Sequence, residues 1–90
     1  MIQYEIKITG KVQGVGFRYF AHQKASEIGI TGWVKNSRDG GVLIIAQGDE
    51  TDLNTFIDFL QIGPARARID NISKYKMQTP TNFQSFILKV

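Results

Sequence analysis

The sequence predicts an α+β fold in which two helices pack on one face of a small antiparallel sheet. Two observations lead there. Apolar side chains recur at helical spacing in the stretches Phe17 to Ile28 and Leu53 to Leu60, while the stretches around them alternate or are rich in β-formers. The resulting order is β-α-β-β-α-β with a short terminal extension, and each helix lies in a connection long enough to be a crossover. Right-handed crossovers put both helices on the same side of the sheet.

Taken in order, Ile2, Tyr4, Ile6 and Ile8 alternate with Gln3, Glu5, Lys7 and Thr9, which predicts a first strand with one buried and one wet face. Gly10 opens a loop that runs to Gly16. From Arg18 onward, Phe20, Ala21, Lys24, Ala25 and Ile28 join Phe17 in an amphipathic helix, and Gly29 stops it. Ile30 to Asn36 reads as a second strand, and Asp39-Gly40 signals a tight turn. Val42 to Gln47 is apolar on both faces, so it belongs in the middle of the sheet. Asp49, Glu50 and Asp52 precede the second helix as capping residues rather than as a carboxylate pair or a metal site. Leu53, Phe56, Ile57 and Leu60 form that helix's buried stripe, and Gly63-Pro64 ends it. Ile69 to Met77 reads as a fourth strand, Thr79-Pro80-Thr81-Asn82 as a turn, and Phe86, Leu88 and Val90 as a last short strand. This is a two-layer sandwich of ferredoxin-like type, with the first two strands running the same way on either side of the third.

Ninety residues make one domain, spanning 1–90. A net charge of +3 suits an anionic ligand, but the basic residues are scattered, so no nucleic-acid partner is expected. The absence of cysteine excludes disulfides, thiolate catalysis and cysteine-based metal sites, and a single histidine argues against a His-rich zinc site. Neither a metal nor another cofactor is expected. The N-terminus alternates instead of forming an apolar run, so neither a signal peptide nor a membrane span is expected, and the expected location is cytoplasmic. A monomer is the default expectation.

The stretch richest in chemistry is Gly10-Lys11-Val12-Gln13-Gly14-Val15-Gly16-Phe17-Arg18. Glycines that turn backbone N–H groups inward, a helix N-terminus and a guanidinium together suit a small anion such as phosphate. The loop fails the Walker pattern, because Phe17 follows Gly16 where lysine should stand. It fails the dinucleotide pattern at Tyr19. The fold places the loop and the end of the second strand at one edge of the sheet, two strand gaps or roughly 10 Å apart, so that Arg18 and Asn36 can converge on one ligand.

Gly10-x-Val12-Gln13-Gly14-Val15-x-Phe17-Arg18 resembles the first signature of the acylphosphatase family. Gly32-Trp33-Val34-Lys35-Asn36, followed by Gly40, Val42 and Gly48, resembles the second. The resemblance covers nearly the whole chain; Ala65 to Val90 matches loosely and leaves the register of the last strand open. It implies hydrolysis of the carboxyl-phosphate bond of acyl phosphates. It also implies that Gln13, Gly14, Val15, Gly16, Phe17 and Arg18 bind the substrate's phosphate, that Arg18 is the cationic anchor, and that Asn36 positions the attacking water. Inorganic phosphate and sulfate are then competing anions.

Those residue types suit that chemistry. The leaving carboxylate has a conjugate acid of pKa near ~4, so no general acid has to protonate it. What remains is positioning and charge stabilisation. An arginine grips two phosphate oxygens at once, and an asparagine amide both accepts from and donates to water. The bland readings differ: a turn at the glycines, a solvated Arg18, a hairpin-entry Asn36, and His22 as a half-exposed helix residue. The joint motifs outweigh them. An alternative is a ferredoxin-like RNA-binding module without catalysis, for which Gly16-Phe17-Arg18-Tyr19-Phe20 faintly resembles an aromatic RNA-binding strand. A third is a carbamoyl-phosphate-handling domain of a larger maturation protein, against which the chain length argues.

Overall fold

The computed structural model describes residues 1–78 and 81–90. Its elements are β1 (Ile2–Lys11), α1 (Phe17–Ile28), β2 (Thr31–Asn36), β3 (Val42–Gly48), α2 (Glu50–Ile62), β4 (Arg68–Lys76) and β5 (Phe86–Leu88). The strands are ordered β4-β1-β3-β2-β5. β1 and β2 each pair antiparallel with β3, so they run the same way with β3 between them, as the sequence predicts.

The sheet is mixed rather than antiparallel throughout. β4 pairs antiparallel with β1, but β5 pairs parallel with β2, Gly32 to Val34 lying against Phe86 to Leu88. The reason is topological. β4 occupies one edge, so the chain after it must cross to the opposite edge and turn back, and it arrives beside β2 in β2's own direction. β5 stops at Leu88, and Val90 lies fully exposed beyond it.

That crossing also changes the expected wet face of β1. Gln3 is only 2% exposed. Its amide oxygen accepts the Thr81 N–H at 2.8 Å, and its amide nitrogen points at the Met77 sulfur at 3.1 Å. Gln47, its neighbour on β3, donates to the Thr81 carbonyl at 2.9 Å. The two buried amides are therefore satisfied by the crossing segment that covers them. The turn expected over Thr79-Pro80-Thr81-Asn82 begins on Thr79 and Pro80, which lie outside the described residues.

Both helices cover the other face. Ile6, Ile8, Val34 and Ile44 from the sheet meet Phe17, Ala21 and Ala25 from α1 and Leu53, Phe56 and Leu60 from α2. Phe56 meets Phe86 edge-on, with ring centres 5.9 Å apart, and so joins α2 to the last strand. The acidic residues before α2 act through charge alone: Asp49 makes no side-chain cap, while Glu50 and Asp52 sit in the first turn at the positive end of the helix. Phe56 is fully buried. Phe56→Ala is expected to cost about 3–5 kcal/mol, read as a lowered midpoint in urea denaturation.

Candidate active site

The loop between β1 and α1 is pinned at both ends by core side chains. Val12 and Phe17 are each 1% exposed. Just before the loop the pairing of β1 with β4 carries a bulge on β4, where Thr9 pairs with Asn71 but Gly10 pairs with Ile69, leaving Asp70 as the extra residue. Between the pins, Gly14 and Gly16 take left-handed φ angles of 72° and 81°. A side chain at either would meet nothing within 4 Å, so the demand for glycine is conformational, worth roughly 1–2 kcal/mol per residue.

Gly16 is also the N-cap of α1, without a side-chain cap and without an acidic residue in the first turn. The Phe20 N–H makes the first bond back to the Gly16 carbonyl, at 3.0 Å. The amides of Phe17, Arg18 and Tyr19 therefore have no acceptor inside the helix and stand at its positive end.

Across β3, Asn36 ends β2. It shares the helix-side face with Val34, two residues earlier. Gly14, Gly16, Arg18 and Asn36 line one cavity of about 150 Å³, walled by Val12, Phe17 and Tyr19. That is half the ~300 Å³ where drug-sized ligand sites begin, so the cavity has room for a group the size of a small anion and not for a nucleotide.

Two of the residues grouped with the loop stand apart from the cavity. The Val15 side chain packs against the core, so only its backbone can face a ligand. Gln13 turns its amide nitrogen to the hairpin after β2, donating to the Ser37 carbonyl at 2.8 Å and the Gly41 carbonyl at 2.9 Å.

Arg18 has a partner that its own surroundings in the sequence do not suggest. Its Nη1 donates to the Lys89 carbonyl at 2.6 Å, while the Lys89 N–H donates to the Val34 carbonyl at 2.8 Å. The guanidinium thus rests on the chain just past β5. Only the parallel placement of β5 could reveal this, and the loosely patterned end of the sequence does not signal it. Among the described residues the ion pairs are Lys24–Glu27 and Arg68–Asp70, so no carboxylate competes for Arg18.

The remaining candidates lie elsewhere. His22 is half-buried with its ring 6.2 Å from that of Phe86 and does not line the cavity. Lys35 stands over the Trp33 ring at 5.5 Å, and Lys11 is exposed. The aromatic run Phe17 to Phe20 lies on α1, not on a strand, and Phe17 is core. Among the described residues no group of three or more His, Asp or Glu side chains gathers, and no helix is long and apolar enough to cross a membrane.

A model of the acylphosphatase family matches residues 4–88. An acylphosphatase from Mannheimia succiniciproducens is 47% identical over 74 residues, covering 82% of each chain. The crystal structure of acylphosphatase from Bacillus subtilis superposes with a TM-score of 0.95 at 38% identity, covering 100% of this chain and 99% of that one. HypF from T. kodakarensis contains a region similar to the whole of this chain, with a TM-score of 0.87 at 40% identity, over 12% of its own length.

The hairpin beside the cavity carries a pH dependence. Hydrogen bonds from the Ser37 hydroxyl at 2.6 Å and the Gly41 N–H at 2.9 Å hold the Asp39 carboxyl below its usual range. A lowered acid stabilises the folded hairpin above its unfolded pKa, and that contribution disappears as pH falls through the lowered value. An NMR titration of the Gly41 amide is expected to show an acid step below the ordinary aspartate range, and Asp39→Asn is expected to remove the step.

Proposed function

The chain belongs to the acylphosphatase family and hydrolyses acyl phosphates, and we propose that residues 13–18 hold the phosphoryl group, with Arg18 as its cationic anchor and Asn36 positioning the water. The observation that carries this reading is convergence: Arg18, from the first turn of α1, and Asn36, from the end of β2, line the same small cavity as the two left-handed glycines.

In this scheme the phosphoryl oxygens meet the guanidinium and the amides of the loop and first helical turn. Arg18 offers a five-donor fork, of which one nitrogen is engaged by the Lys89 carbonyl. Asn36 accepts a hydrogen bond from water and directs its oxygen toward phosphorus. The water oxygen bonds to phosphorus as the bond from phosphorus to the acyl oxygen breaks. The carboxylate departs with that electron pair, and a phosphate oxygen takes the water's proton. Asn36 is far too weak a base to take it. The products are a carboxylate and inorganic phosphate.

The leaving group needs no proton, so the reaction needs no acid of pKa near neutrality. Electrostatic stabilisation by fixed donors carries the rate. We propose that the reaction runs without a metal.

The test is hydrolysis of benzoyl phosphate with EDTA present. Full turnover is expected under these conditions. Arg18→Ala is expected to lower kcat by about 10²–10³-fold, the usual cost of one preorganised donor, and Asn36→Ala by about 10²-fold, the cost of a misplaced water, with thermal unfolding unchanged. Activity that survives both substitutions removes the assignment. Inorganic phosphate and sulfate are expected to compete with substrate, and non-competitive behaviour removes the loop as the phosphate site.

A further inference from the structure

We infer that the Gln13 side chain is a positioning group rather than a phosphate ligand: its carboxamide locks the phosphate loop to the hairpin that carries Asn36. The inference rests on the reading of Asn36 given above. The geometry behind it is independent of that reading.

A carboxamide nitrogen has two hydrogens. Gln13 spends both on backbone carbonyls, Ser37 at 2.8 Å and Gly41 at 2.9 Å. No donor of the side chain is left for an anion, and its remaining polar atom is an acceptor that a phosphate oxygen repels. The two carbonyls are not arbitrary points on the hairpin. Ser37 directly follows Asn36, and Gly41 directly precedes Val42, the strand partner of Asn36. The Ser37 N–H donates to the Gly41 carbonyl at 2.9 Å, and the Gly40 N–H donates to the Ser37 carbonyl at 3.2 Å. Gln13 thus closes over the mouth of the hairpin at the residues that fix where Asn36 stands.

On the loop side, Gln13 is bracketed by Val12, buried in the core, and Gly14, which lines the cavity. One side chain therefore spans the two halves of the site. β1 and β2 do not touch directly, because β3 lies between them. Without the carboxamide, no side chain among the described residues ties the loop directly to the hairpin, and the distance from loop to Asn36 rests on the core packing of Val12 and Phe17 and on the Arg18–Lys89–Val34 bonds farther along the site. In-line attack is sensitive to such shifts, since a misplacement of about 1 Å can cost on the order of 10²-fold in rate.

The discriminating variant is Gln13→Met, which keeps the length and removes both donors. Ser37 and Gly41 keep their own hairpin bonds, so the turn has reason to persist. The expected result is a fall in kcat for benzoyl phosphate on the order of tenfold, with the inhibition constant for inorganic phosphate unchanged. In an Asn36→Ala background the same substitution is expected to cost nothing further, because non-additivity marks residues that act through one another. A weakened inhibition constant in Gln13→Met, or an equal loss in both backgrounds, overturns the proposal. Full turnover in Asn36→Ala alone overturns the reading beneath it, and that single variant reports it without reference to Gln13. A measurement on the unaltered protein needs no variant to fold. Titration with inorganic phosphate, followed by NMR, is expected to move the loop amides and leave the Gln13 side-chain NH₂ signals in place. Movement of those signals with the loop overturns the proposal.

Discussion

The site depends on a stretch of backbone that makes no regular structure and yet cannot collapse. Backbone N–H groups are strong donors and normally find partners. Here the amides at the start of α1 lie beyond the reach of the helix's own carbonyls, with no capping side chain to satisfy them. What keeps them in place is the core. Val12 and Phe17 are buried on either side of the loop, and the left-handed glycines between them are conformations that few other residues adopt. The stability for this comes from the two-layer core, and the loop spends it on an open, electropositive concavity.

A second constraint arises from the chain's return after β4. Crossing to the far edge forces β5 to run parallel to β2, and this brings Lys89 level with Lys35, one residue short of Asn36. Lys89 is then held in three ways. Its N–H bonds Val34, its ammonium stands 4.4 Å from the centre of the Trp33 ring on the open face, and its carbonyl takes the Arg18 guanidinium. The same crossing buries Gln3 and Gln47 and satisfies their amides. A short terminal strand thus contributes to the site through a carbonyl, a group that carries no sequence signature.

This explains which parts of the architecture could be read in advance. Alternation in β1, the two-sided apolarity of β3 and the Leu53-Phe56-Ile57-Leu60 stripe are local patterns imposed by burial, and burial leaves its period in the sequence. The positions of the glycines, Arg18 and Asn36 were legible because the loop and strand ends are themselves short motifs. The bonds of Arg18 to Lys89, and of Gln13 to Ser37 and Gly41, join residues separated by 71, 24 and 28 positions. Each terminates on a backbone carbonyl, which every residue possesses, so no residue type at the acceptor end marks them. The burial of Gln3 was hidden for a related reason: the strand's own pattern is polar there, and only a remote segment covers it.

The chemistry of the cavity wall limits what can react within it. Its polar side chains are those of a permanent cation, a neutral carboxamide and a phenol, from Arg18, Asn36 and Tyr19. Among the described residues, no carboxylic acid, imidazole or thiol lines the cavity. A phosphate ester of an ordinary alcohol would have to expel a strongly basic oxygen, and such a wall offers it no acid. A mixed anhydride of a carboxylic acid expels a weakly basic one. In the proposed scheme, fixed charge, fixed amides and a well-placed water then suffice, and the demand shifts from proton transfer to distance. That is why the proposed contribution of Gln13 lies in geometry. Where no group can be tuned by its pKa, the separation between the loop and Asn36 becomes the quantity that the fold has to hold.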